Sequence, residues 1–476
     1  MKSVDLIYGD GRMVVEVPEN ATIFNYAKEF KDPEPLIDNP IEATRLAIEN
    51  PLGMEPLSKM AKPGKKVVIC FPDRVKGGGH KYSHRRNAIP VLMQILEKCG
   101  VKRHDIKLIC AMGLHRKNTL KEMMEVYLGK EIVKEYGDLI VNHDSEDPEG
   151  MIYLGKDELG DFVSVNKYVY NADIAILIGH VLGNPYGGFS GGYKMAVTGI
   201  TEWKSISSHH CPEVMHREDF LPVNTEKSMM RKKFDSIGKA IEKSMGKKFF
   251  MIDAVLNQKS EVIAVYAGYG EEVQKASWPL AKKKMEVYFD IDEPYDVLVF
   301  GLPRTFHYGP GMGTNPILML QAIGSMVTRT YGVFREGGVV IAPSICDGWF
   351  NDEWFPSYKS LYNKLQALND FSDVFDFAEE FVHIHEFIDK YRFSYAYHPF
   401  HAFSMVSMGI VALKHTSKIY ITGARAPQYA RGMNLTPVNT FNDALKDAEK
   451  IVGKNPRILV LHEALAGIAP HIKFKQ

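Results

Sequence analysis

Lys194 follows directly on a glycine-rich loop, Gly187-Gly188-Phe189-Ser190-Gly191-Gly192, and a histidine pair, His209-His210, closes the same segment. Glycines let backbone approach a bulky planar ligand and turn N–H groups toward a phosphate. A lysine set just after such a loop serves as a phosphate contact or as a point of covalent attachment; the plainer alternative is a tight turn with a surface lysine. The spacing is not that of GxxxxGK[ST], which removes an ATPase reading. A second group sits where the apolar run DIKLICAMG (105–113) ends and Leu114 and His115 follow. An imidazole titrating near neutral pH suits proton transfer, although a histidine at a strand end is more often a satisfied polar group.

These residues need elements to bring them together, and the chain supplies a regular alternation. KKVVICF (65–71), DIKLICAMG (105–113), DLIVNHD (138–144) and ADIAILIGH (172–180) read as buried strands, with helical spacing over 88–98 and 119–135 between them. Near residue 290 the pattern restarts with PYDVLVFGLP (294–303), GGVVIAPS (337–344), KIYITGAR (418–425) and ILVLHE (458–463). Strands separated by helices predict βαβ units and parallel sheets. The expected fold is therefore α/β: two lobes of parallel-sheet, Rossmann-like domains with a cleft between them. The boundary is expected near 285, giving domains 1–285 and 286–476, with the last elements free to pack back on the first lobe. Residues 1–20 read as a hairpin turning at Gly9-Asp10-Gly11, and 21–60 as helical with a break at 32–35. Ligands of such sheets collect at strand carboxyl ends, and four here end in Pro72-Asp73, Gly113-Leu114-His115, Asn142-His143-Asp144 and Gly179-His180.

Bulk properties narrow the class. In 476 residues, hydrophobic side chains make up 45% and charged ones 24%, the balance of a globular protein, and 58 basic residues cancel 58 acidic ones. A neutral chain has no global electrostatic reason to seek nucleic acid or an anionic membrane. The five cysteines are scattered without a CxxC pair, which reads as reduced core thiols. With no signal-peptide pattern and no run of about 18 apolar residues, a cytoplasmic setting is the expectation. A homo-oligomer is left open.

Taken together, these segments resemble the lactate racemase family. FSGGYK (189–194), fifteen residues and then His210 carry the match, with ICAMGLHRKNT (109–119). Softer agreement comes from CFPDRVK (70–76), VNHD (141–144), GTNPILMLQAIG (313–324) and GGVVIAPSICDGWFN (337–351). The resemblance implies a nickel-pincer nucleotide tethered to Lys194 as a thioamide, with His210 as the protein ligand of nickel. It implies His115 as acid/base, and cofactor contacts from Asp73, Gly113, Leu114, Ser190, Gly191 and Gly192. Imidazole suits a borderline metal such as Ni(II).

The chain also departs from that pattern. Where the family has a second histidine, ten residues before the lysine, stands Asn184, which accepts no proton at neutral pH. His180 is the nearest replacement and is expected as the second base; Tyr186 and His401 are others. Lys76 replaces an arginine, giving a point charge in place of a bidentate fork, and Gly324 replaces a lysine, while Gln321 is kept. Lys76, Asn184 and Gln321 are the expected substrate contacts. His80, Lys81, His84, Arg85 and Arg86 offer a rebuilt pocket, and Phe400, His401 or Phe403 stands in for the family's tryptophan. The expectation is a racemase or epimerase of a 2-hydroxy acid larger than lactate, such as a sugar acid, loaded by cofactor-synthesis enzymes. Rival readings are action on a sugar or polyol without a carboxylate and a non-catalytic cofactor binder. A nicotinamide dehydrogenase is unlikely, for lack of a GxGxxG after an early strand.

Overall fold

The computed structural model describes residues 1–25, 35–76, 83–257, 260–290, 293–306, 308–311, 313–466 and 470–475. Two six-stranded sheets organise it. In the first, the order is Val262–Gly268, Phe250–Leu256, Ile174–Val181, Val67–Pro72, Ile106–Ala111, Ile140–Asn142, parallel except at the first pair. In the second, the order is Thr436–Val438, Thr416–Thr422, Phe334–Pro343, Tyr295–Val299, Ile458–His462, Thr22–Asn25, parallel throughout.

The apolar runs are explained by burial on both faces, as parallel sheets require. Along Val67–Pro72, Ile69 and Phe71 pack into one core with Leu92 and Leu108, while Val68 and Cys70 face the other way against Ile109, Leu177 and Val197. Successive side chains alternate between faces, so VVIC serves two cores at once. All five cysteines are free thiols; Cys70, Cys110 and Cys346 are buried, and Cys99 and Cys211 are half-buried.

The first 25 residues correct the sequence reading of the domain division. Lys2–Gly9 and Gly11–Val17 do form the hairpin, but it pairs with Leu302–Pro303, and Thr22–Asn25 is a strand at the edge of the second sheet. Residues 22–25 are thus not helical; the helices of that region are Pro40–Glu49 and Leu57–Met60. The break at 32–34 lies outside the described residues. The helix expected over 119–135 is split into Leu120–Glu122, a π turn Met123–Tyr127 and Lys130–Tyr136, with Gly129 at φ +93° interrupting it.

Above the second sheet, Pro399–His415 is buried along nearly its whole length and apolar all round, the pattern of a helix inside a core. It crosses Pro316–Thr330 through two glycines. A Cβ on Gly324 would lie 2.1 Å from the Met408 carbonyl oxygen, and one on Gly409 would lie 2.5 Å from Leu320. Among the described residues, no helix is long and apolar enough to cross a membrane.

Candidate active site

The carboxyl ends of the strands Val67–Pro72, Ile106–Ala111 and Ile174–Val181 open onto one cavity, roofed by the helices Pro316–Thr330 and Pro399–His415. Of the residues singled out in the sequence, Asp73, Lys76, Leu114, His115, His180, Asn184, Ser190, Gly191, Lys194, His210 and Gln321 line it.

Lys194 is buried, and its Nζ donates to the Tyr186 carbonyl at 2.9 Å. Burial, with Lys76 and Arg231 nearby, drives its pKa well below the usual lysine range, so the amine is neutral and nucleophilic. His210 stacks on the Tyr186 ring, centroids 5.0 Å apart at 27°, and Lys194 Nζ lies 5.3 Å from the same ring centre. The amine and the imidazole therefore share one aromatic plate inside one cavity. His210 Nδ1 meets His209 Nδ1 at 2.6 Å. If His210 donates its Nδ1 proton in that bond, its Nε2 is left with a lone pair.

His115 Nδ1 lies 2.8 Å from Asp73 Oδ2. Burial opposes ionisation of Asp73, but His115, Lys76 and Arg85 hold its carboxyl below the usual range. A carboxylate only accepts, so His115 donates through Nδ1 and keeps its Nε2 lone pair. Burial depresses the His115 pKa despite that carboxylate, leaving a neutral base. Asp73 is therefore the group that orients His115, a role the sequence did not suggest. Arg85 donates to the Pro72 carbonyl and, at 2.6 Å, to the Asp73 carbonyl, bracing this strand end from behind.

Several expected contacts are committed elsewhere. The Gly113 N–H donates to the Gly199 carbonyl and the Gly192 N–H to Asp253 Oδ2, and neither residue lines the cavity. Those amides are not available as a phosphate cradle. Ser190 Oγ ties the loop to Leu182, accepting its N–H at 3.1 Å. Asn184 Oδ1 accepts the Tyr186 N–H at 2.9 Å, leaving its amide nitrogen and one lone pair of that oxygen for a ligand. His84, Arg85 and Arg86 do not line the cavity, which overturns the rebuilt-pocket reading for them; His80 and Lys81 lie outside the described residues. Of Phe400, His401 and Phe403, His401 alone lines the cavity, while Phe400 stacks on Phe403 and leans on Trp203. Gly324 faces the helix crossing, where no side chain fits.

The sequence reading missed Asp253, whose signal was a lone carboxylate in the apolar strand FMIDAVL. It also missed most of the roof: Tyr308, Ser325, Arg329, Ser404 and Met405. Tyr186 Oη, Gln321 Oε1, Ser404 Oγ, His401 Nε2 and Asp73 Oδ1 are buried without a hydrogen-bond partner among the described residues. Buried polar atoms are normally satisfied, so this concentration marks a surface built for a polar ligand.

An α/β scaffold whose strand ends offer a neutral amine, an imidazole and an oriented base is that of an enzyme. Residues 8–221 match the lactate racemase N-terminal domain. The chain is 23% identical over 471 residues to the lactate racemase of Thermoanaerobacterium thermosaccharolyticum, covering 98% of this chain and 99% of that one. It is also 23% identical over 472 residues to the lactate racemase of Lactiplantibacillus plantarum, covering 98% and 100%. The solved structure of the lactate racemase apoprotein from T. thermosaccharolyticum matches over all of both chains with a TM-score of 0.72 at 19% identity. A Thermotoga maritima protein structure matches 94% of this chain and all of its own at 0.57 and 16%. The chain is thus similar to lactate racemases along nearly its whole length, and its N-terminal part matches their N-terminal domain.

Proposed function

We propose that the protein is a nickel-pincer nucleotide-dependent racemase or epimerase of a 2-hydroxy acid larger than lactate, such as a sugar acid. The observation that carries this reading is the shared cavity of Lys194 and His210, both set against one tyrosine ring. A neutral amine fits a covalent tether, and an imidazole nitrogen fits one position of a tetragonal Ni(II) centre. When bound, the group supplies a reversible hydride acceptor. The protein's share is to hold, orient and move protons. His115 takes the substrate hydroxyl proton at Nε2, and Asp73 steadies the imidazolium that results. Lys76 and Gln321 grip substrate oxygens, and the Tyr186 and Ser404 hydroxyls lining the same cavity favour a substrate with hydroxyl groups beyond the reacting one.

The test is the intact mass of protein produced alongside cofactor-synthesis enzymes. The wild type carries an adduct and Lys194→Ala does not; an equal adduct on both, or none on either, defeats the assignment. Turnover in deuterated water then inverts the carbon without placing deuterium on it. Deuterium incorporation there would mean proton abstraction from carbon instead.

A further inference from the structure

Inversion by hydride removal and return also takes a proton from oxygen and gives one back, and two groups beside that oxygen can divide the two steps. Across the cavity from His115 stands a second imidazole. His401, on the first turn of Pro399–His415, has its ring centre 5.5 Å from that of His115, edge to face at 82°. Its Nδ1 lies 2.6 Å from the Tyr358 hydroxyl, and its Nε2 is buried without a partner among the described residues. His401 is buried and His115 half-buried, and both line the cavity.

The two rings are set to opposite roles by what stands behind them. Behind His115 is a carboxylate, which fixes the proton on Nδ1 and leaves Nε2 an acceptor. Behind His401 is a phenol, which unlike a carboxylate can donate to Nδ1; the role proposed below requires that direction, with the ring proton on Nε2. A hydroxyl, unlike a carboxylate, can reverse and accept, so His401 can also hold two protons.

We propose that His401 is the second proton carrier of this site, working with His115 on the same substrate oxygen. This rests on the racemase reading above. Burial beside His115 and Lys76 presses the His401 pKa well down, so a proton placed there is readily given up. Turnover of one stereoisomer starts with His115 neutral and one such proton on His401. The C–H bond breaks with its electron pair passing to the hydride acceptor, and the O–H proton passes to His115 Nε2, leaving a carbonyl. Hydride returns to the opposite face, and the oxygen takes its proton from His401 Nε2. The pair now holds the same single proton on the other ring, ready for the opposite stereoisomer. At the carbonyl stage both rings are protonated; the Asp73 carboxylate offsets one of the two charges and the substrate carboxylate the other. His180 also lines the cavity, but among the described residues the rings against His115 are those of Tyr308, Tyr397 and His401.

The experiment compares His401→Gln, His115→Gln and Tyr358→Phe with the wild type, each loaded with cofactor and checked for its mass adduct and thermal midpoint. Lactate, malate and gluconate are the probes, each with both configurations at C2, and the keto acid formed in a single turnover is trapped with phenylhydrazine. Net inversion falls at least 100-fold in His401→Gln, and less in Tyr358→Phe. His401→Gln and His115→Gln still form keto acid, each from one configuration only, and from opposite ones. In the cofactor-free protein, two-bond proton–nitrogen spectra, assigned by difference, show His115 protonated at Nδ1 and His401 at Nε2. Inversion by His401→Gln within threefold of wild type overturns the proposal while leaving the racemase reading intact. So does an equal loss from both configurations, or a His401 ring protonated at Nδ1. Wild-type protein that inverts none of the probes defeats both.

Discussion

At the scale of single residues, the site depends on groups held in a chosen protonation state by their neighbours. Lys194 is neutral because it is buried beside other cations, and His115 keeps a free Nε2 because Asp73 takes its Nδ1 proton. Asp73→Asn removes the charge and lets the ring choose the other tautomer. Activity should fall by about 10²–10⁴, with the mass adduct on Lys194 retained. A variant of near wild-type rate would show that Asp73 only binds ligand. Lys194, His210 and His115 were legible in the sequence because each sits at a loop or strand end, where glycines interrupt an apolar run. Asp73 was legible as a site residue but not as the partner of His115, since 42 positions separate them. The amides of Gly113 and Gly192 were misread because sequence shows a glycine's freedom, not where its N–H is spent.

At the scale of elements, the strands of both sheets fall close to where apolar runs predicted them, since a parallel strand buried on both faces leaves a plain signature. The roof of the site did not show. Pro399–His415 is apolar on every side, so its periodicity marks no face, and His401 looks like one more residue of an aromatic cluster. The glycines at its crossing with Pro316–Thr330 have a direct consequence. Gly324→Ala forces a Cβ to 2.1 Å from the Met408 oxygen, and overpacking of that kind costs about 1–3 kcal/mol or more. The thermal midpoint should drop by several degrees, whereas Gly64→Ala, with nothing within 4 Å but a φ of +82°, should cost only about 1 kcal/mol. Equal effects would contradict the close crossing.

At the scale of the whole molecule, a chain that pairs its first strands with its last cannot be cut at residue 285 into two consecutive units. Thr22–Asn25 completes the second sheet beside Ile458–His462, a long-range pairing invisible to local pattern. The molecule also buries many neutral histidines. Burial presses His84, His143 and His471 down to about 4, and His180 to about 3. In the unfolded chain these rings titrate near 6.5, so below that pH the unfolded state binds more protons. Their contribution is complete above about pH 6.5 and is lost as pH falls toward 4, on the order of 1–2 kcal/mol per ring by pH 5. The urea midpoint should decline steadily between pH 6.5 and 4.5; a flat profile would show these rings to be accessible and charged.

The central claim is that one amine and one imidazole hold a single group. Anomalous diffraction at the nickel edge from crystals of the cofactor-loaded protein reads this directly. The account predicts one nickel peak within bonding distance of His210 Nε2, with continuous density from that centre to Lys194 Nζ. A peak bound elsewhere, or density that reaches only one of the two residues, would contradict it.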